Sequence, residues 1–93
     1  MPTDSAAIDP DTRRAVERLI SDALQEFGFE DSEISFDTPL EDLGVSSLDI
    51  AELIQIVREQ YGATVQAYEL AACASLAEVT DMIAAKVVAA RDA

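Results

Sequence analysis

The chain contains no histidine, no tryptophan and a single cysteine, Cys73, among its 93 residues. Without histidine, neither a Ser-His nor a Cys-His nucleophile pair can be assembled, so a hydroxyl here has no histidine to deprotonate it. One cysteine permits no internal disulfide, which agrees with a reducing, cytoplasmic compartment. Apolar runs long enough to span a bilayer are missing, and the opening Met1-Pro2-Thr3-Asp4-Ser5 has neither the basic nor the apolar region of a signal peptide. Positive charge is scarce. Six Lys and Arg residues stand against nineteen Asp and Glu, a formal net charge of −13. A nucleic-acid backbone repels such a chain, whereas a partner with a basic docking surface attracts it. The length suffices for one small core and leaves little room for an enclosed catalytic cleft. These absences point to a cytoplasmic non-enzyme with no nucleic-acid or membrane partner.

What is present is helical periodicity. Residues 1–8 read as a loose tail. Asp9-Pro10 then reads as an N-cap followed by proline at the first helical position. Ala15, Val16, Leu19, Ile20, Ala23, Leu24 and Phe27 recur at helical spacing, which predicts a first helix from about Pro10 to Phe27, closed by Gly28. Residues 28–46 form a long acidic loop in which Phe29, Ile34, Phe36 and Leu40 serve as apolar plugs. Thr38-Pro39-Leu40-Glu41 resembles a capping box with proline at N1, so a short helical turn is expected before Gly44. A second helix starts at Ser46 or Ser47 and runs to about Tyr61, with Leu53, Ile54, Val57 and Tyr61 as its core stripe and Gly62 as terminator. A short third helix is expected over Ala67–Ala72. Ser75-Leu76-Ala77-Glu78 reads as a second capping box, opening a fourth helix whose Leu76, Val79, Met82, Ile83 and Val87 face inward and which frays after about Ala89. No strand-like alternation occurs. The expectation is an all-α, small four-helix bundle occupying residues 9–90, with 91–93 as a C-terminal tail.

The most informative stretch is Asp42-Leu43-Gly44-Val45-Ser46-Ser47-Leu48-Asp49. A glycine turn delivers two serines to the start of an amphipathic helix, and Ser46-x-x-Asp49 has the spacing of a capping box. Asp49 also complements the positive N-terminal end of that helix. A hydroxyl exposed there, with no histidine to deprotonate it, is better placed to be modified than to attack a substrate. The stretch resembles the acyl carrier protein signature Leu-Gly-x-(Asp/Ser/His)-Ser-Leu, and the resemblance extends over roughly Pro10 to Ala89. It implies the acyl-carrier fold, with a long loop between the first two major helices and a short third helix across one end. It further implies that Ser47 bears 4'-phosphopantetheine, delivered from coenzyme A by a phosphopantetheinyl transferase, and that acyl groups ride on the arm's thiol as thioesters. Ser46 stands where the family most often has aspartate, and serine is able to take over its capping role.

The same resemblance assigns the partner-docking face to the second helix, through Leu48, Asp49, Glu52, Gln55 and Glu59. Expected partners are the transferase and a ketosynthase, an acyltransferase or other acyl-transferring enzymes with basic docking surfaces, met by a monomeric carrier. Gln55 replaces a residue that is often apolar in fatty-acid carriers, and Arg58 one that is commonly acidic. Both departures suit a discrete type II carrier of a polyketide or other specialised pathway. Cys73 matches a position that is usually apolar and reads as a small hydrophobe. A peptidyl or aryl carrier of nonribosomal synthesis and an unmodified helical adaptor are the alternatives, and Val45 and Asp49 favour the acyl type over the former. An EF-hand reading of Asp31, Glu33, Ser35, Asp37 and Asp42 fails, because Phe36 stands where the loop needs glycine and Asp42 where it needs a bidentate glutamate. No metal site is expected beyond loose divalent binding at the surface.

Overall fold

Thr12, Val16, Leu19, Ile20, Ala23 and Leu24 are spaced to share one side of a helix, and all six are buried along α1 (Pro10–Glu26). This is a computed structural model, and it describes residues 10–92; Asp9, the expected N-cap of α1, lies outside them. The buried face of α1 is rotated slightly from the predicted one. Ala15 is exposed, and Thr12 is buried in its place. The Thr12 hydroxyl accepts a 2.9 Å hydrogen bond from Arg91 Nη2, which satisfies a buried polar atom from the far end of the chain. Gly28, at φ 109°, ends the helix as expected, and the Phe29 N–H reaches back to the Leu24 carbonyl at 3.0 Å.

The connection that follows is long but fastened. A single 3-10 turn spans Asp31–Glu33, then α2 covers Leu40–Leu43. Phe29, Ile34, Phe36, Leu40 and Leu43 are half-buried and pack against the core, so the predicted plugs act as such. The predicted capping box at Thr38 does not form. Pro39 is the N-cap rather than the first helical residue, because it is extended and pairs with Ser75 in an isolated antiparallel bridge. The Leu40 N–H is thereby committed to the Ala74 carbonyl at 3.0 Å, and the Ala77 N–H to the Phe36 carbonyl at 3.0 Å. The loop is held by backbone bonds to the start of the last helix.

Three further helices complete the bundle: α3 (Ser47–Tyr61), α4 (Ala67–Ala71) and α5 (Leu76–Asp92). Leu53 and Val57 of α3 are buried, whereas Ile54 and Tyr61 are only half-buried at the edge of the stripe. From α5, Leu76, Val79, Ile83, Ala84 and Val87 enter the core, and Met82 packs at its margin. Glu78 does cap the start of α5, but its carboxylate accepts from Ala74 N–H at 3.0 Å, one residue earlier than the Ser75 box required. α5 also continues past Ala89 to Asp92, so Arg91 and Asp92 are helical. Arg91 lies in the last turn, where a cation complements the helix dipole, and its bond to Thr12 ties that turn to α1. Arg13–Asp81 at 2.8 Å joins the same two helices, and Lys86–Glu69 at 2.7 Å joins α5 to α4. The Lys86 ammonium and the Gln66 N–H hold the Glu69 carboxyl below its ordinary pKa.

Candidate functional site

Gly44 is the pivot of the site. It takes the left-handed conformation, φ 80° and ψ 23°, as the C-cap of α2, which turns the chain sharply into α3 and favours a residue without a Cβ. Ser46 then serves as the N-cap of α3. Its Oγ accepts from Asp49 N–H at 3.2 Å, and the Asp49 carboxylate accepts from Ser46 N–H at 3.1 Å. The predicted capping box is thus complete, and it uses the hydroxyl of Ser46.

Ser47 is the first residue of α3 and is exposed. Its hydroxyl forms no hydrogen bond within the described residues, so it is the unengaged member of the serine pair. The capping box takes Asp49 N–H, and Ile50 N–H bonds to the Ser46 carbonyl at 3.0 Å. That leaves the Ser47 and Leu48 amides as the open donors at this helix end. Two free N–H groups beside a free hydroxyl suit a phosphoester, because the positive end of the dipole and the unpaired donors accommodate its charge. Ser47 and its surroundings therefore fit a covalently attached phosphate-bearing arm.

The neighbouring face of α3 is only partly what the sequence indicated. Leu48, Glu52, Gln55 and Glu59 line one shallow groove, together with Ala51 and Ile56. Leu48 is 70% exposed, an apolar side chain left in water next to Ser47. Gln55 Nε2 donates to Glu59 at 3.4 Å, which keeps those two side chains together. Asp49 stands apart from the four. It is half-buried and its carboxylate is held by the cap, so Glu52 and Glu59 are the carboxylates presented along the groove. Sequence reading passed over Tyr68 of α4, which is 73% exposed. Leu70 is the one buried residue of α4, Glu69 is half-buried against Lys86, and Ala67, Tyr68 and Ala71 are exposed.

Cys73 is half-buried, with its thiol donating to the Glu69 carbonyl at 3.5 Å. Burial, and then the nearby Glu78 and Glu69 carboxylates, push its pKa above the usual thiol value. The thiolate is therefore scarce at neutral pH, and Cys73 should be alkylated by iodoacetamide at pH 7.5 more slowly than the free amino acid. A rate equal to that of free cysteine would contradict this reading of its environment. The acidic residues raise a related expectation. Glu30, Asp31, Glu33, Asp37, Glu41 and Asp42 are all exposed, and none takes part in the three ion pairs found among the described residues. Their mutual repulsion should be relieved by screening, so moving from about 10 mM to about 150 mM salt, or adding millimolar Mg²⁺, should raise Tm by a few degrees. A Tm indifferent to ionic strength would remove self-repulsion from the account.

Among the described residues, no helix is long and apolar enough to cross a membrane. No curated protein and no solved structure matches the chain. The family model for the phosphopantetheine attachment site matches residues 14–83, from the second turn of α1 to the middle of α5.

Proposed function

This chain belongs to the phosphopantetheine-attachment family of acyl carrier proteins, and we propose that within it Ser47 is the residue that bears the arm. Membership carries a covalent 4'-phosphopantetheine with it, together with an interaction with a phosphopantetheinyl transferase and with acyl-handling enzymes. Carrier domains of this kind hold acyl groups rather than catalyse their reactions. The observation that supports Ser47 over its neighbour is the division of hydroxyls. Ser46 Oγ is occupied by Asp49 N–H, while Ser47 is exposed, unengaged and beside two open amides. The chain offers no histidine as a base for the serine, and the Asp49 carboxylate is held by the Ser46 N–H. In this reading the transferase supplies the base, and the carrier contributes position and electrostatics.

The groove of α3 is then the recognition surface. Leu48 offers an apolar anchor and Glu52 and Glu59 a negative field, suited to basic residues on the transferase and on the enzymes that load and unload the arm. The pathway proposed is polyketide or fatty-acid-like synthesis. Gln55 and Arg58 support the specialised form, because they place polar and cationic groups on a face where a housekeeping fatty-acid carrier is more apolar and acidic. Acyl thioesters on the arm are presented to a ketosynthase or acyltransferase by a carrier that acts as a monomer. Incubation with coenzyme A and a broad-specificity transferase, followed by peptide mapping, tests the assignment. Fragmentation of the peptide that contains both serines is expected to place the phosphopantetheinyl mass on Ser47, and its absence or its location on Ser46 would remove the reading.

A further inference from the structure

Ser47, Ala51, Ile54 and Arg58 follow one another along α3 at steps of four, three and four residues. At about 100° per residue they lie within an arc of about 60°, so they form one stripe along the helix. The last of them, Arg58, is exposed and is the sole cation of α3. Its helical neighbours at three and four residues, Ile54, Gln55, Tyr61 and Gly62, carry no carboxylate, so no intrahelical pair forms. The adjacent Glu59 is engaged by Gln55 Nε2 at 3.4 Å. The ion pairs among the described residues use Arg13, Arg14 and Lys86, and Arg91 is bonded to Thr12. Among the described residues Arg58, like Arg18 of α1, forms no ion pair, in a chain with a net charge of −13. Ala51, Ile54, Gln55, Arg58 and Glu59 line a second shallow groove, beside the one that holds Leu48 and Glu52.

We propose that this groove is a surface track for the loaded arm, and that Arg58 binds the free carboxylate of a dicarboxylic acyl group carried as its half-thioester. The proposal rests on Ser47 as the attachment site. Eleven residues of helix separate Ser47 from Arg58, a rise of about 16 Å. The arm has about fourteen main-chain bonds from the serine oxygen to the thiol and covers roughly 15–17 Å when extended, at the 3.3–3.6 Å per three-bond peptide unit of an extended backbone, so its thiol end reaches the level of the guanidinium. The exposed Ala51 leaves the track open, half-buried Ile54 gives it an apolar floor, and Gln55 offers an amide to the arm's own amides. A solvent-exposed cation binds a free carboxylate weakly. Tethering makes the encounter intramolecular, and an exposed pair within one molecule is favoured by up to about fivefold, an occupancy that a free carboxylate at millimolar concentration would not reach. A neutral acyl group has no such partner and receives no such hold.

The test uses the full chain loaded by a broad-specificity transferase from malonyl- or acetyl-coenzyme A, with intact mass confirming each load. Malonyl loading is expected to shift the Arg58 Nε–Hε resonance and the amides of Ala51 and Ile54, whereas acetyl loading leaves Arg58 unmoved. The malonyl-specific shifts should shrink at high salt and vanish in Arg58→Gln, with Arg58→Lys retaining part of them. A titration of ¹³C-labelled malonyl carboxyl should show proton affinity rising two- to fivefold in Arg58→Gln. Identical spectra for the two loads, or malonyl-specific shifts that persist in Arg58→Gln, would overturn the proposal while leaving the carrier assignment intact. No mass gain at all would overturn both.

Discussion

Ser47→Ala abolishes the mass gain on incubation with coenzyme A and a broad-specificity phosphopantetheinyl transferase, while the protein keeps its helical circular dichroism. The expectation follows from the different uses of the two hydroxyls. Ser47 is exposed and its hydroxyl contributes nothing to the cap, so its removal takes away the acceptor and little else. Ser46→Ala has the opposite profile. It deletes the oxygen that accepts from Asp49 N–H, which costs about 1 kcal/mol for an N-cap of this type. In a domain of this size that lowers Tm by roughly 4–8 °C, yet modification proceeds because Ser47 remains. Intact mass and thermal melts on both variants separate the roles. Modification of Ser47→Ala, or its loss in a folded Ser46→Ala, would reverse the assignment.

Glu52→Lys slows transfer of the arm by about tenfold, chiefly through slower association and with a weaker salt dependence. A charge at the rim of an interface acts mainly on encounter rate, and Glu52 lines the α3 groove next to the 70%-exposed Leu48. The exposed carboxylate makes no bond to the fold, so its reversal leaves the bundle intact. Asp49→Lys is a poorer probe, since that carboxylate closes the capping box on Ser46 N–H and its loss would weaken the helix start itself. Asp22→Lys on α1 is the control for net charge. It changes the formal charge of −13 by the same amount on a different element. Stopped transfer kinetics at two salt concentrations distinguish the cases. Equal slowing by Glu52→Lys and Asp22→Lys would show that overall charge, and not the α3 face, governs recognition.

Much of this architecture is legible in the sequence because the signals are local. The spacing of Val16, Leu19, Ile20, Ala23 and Leu24 fixes α1. Ser46-x-x-Asp49 fixes the start of α3, and Gly62 ends it at φ 68°. These depend on residues within a turn of one another. What was misplaced depends on distant partners. Proline after Thr38 reads locally as a helix start, but Pro39 is drawn into an extended bridge by Ser75, far along the chain. The end of α5 looked frayed because its last residues are small and polar. It persists because Arg91 finds the buried Thr12 hydroxyl across the bundle.

The site divides along the same line. That two serines sit at a helix start was readable, and the resemblance to carrier proteins singled out Ser47. The spacing Ser46-x-x-Asp49 named Ser46 as the cap, and its Oγ does accept from Asp49 N–H at 3.2 Å; that the Ser47 hydroxyl is left without a partner among the described residues needed the three-dimensional arrangement. The five docking residues assigned to α3 separate into four that share a groove and Asp49, which serves the cap. Arg58 stood out in sequence as a departure from the family pattern. Its place on the stripe from Ser47, without an acidic partner, required the helix and its ion pairs.

The central claim is that this chain carries its cargo on Ser47, and the most direct measurement is mass spectrometry of the protein purified gently from its own host. Intact mass should exceed that of the bare chain by one phosphopantetheinyl group, with or without an acyl group on its thiol. Fragmentation should place that mass on Ser47. An unmodified chain recovered from cells with an active transferase, or an arm located on Ser46, would contradict it.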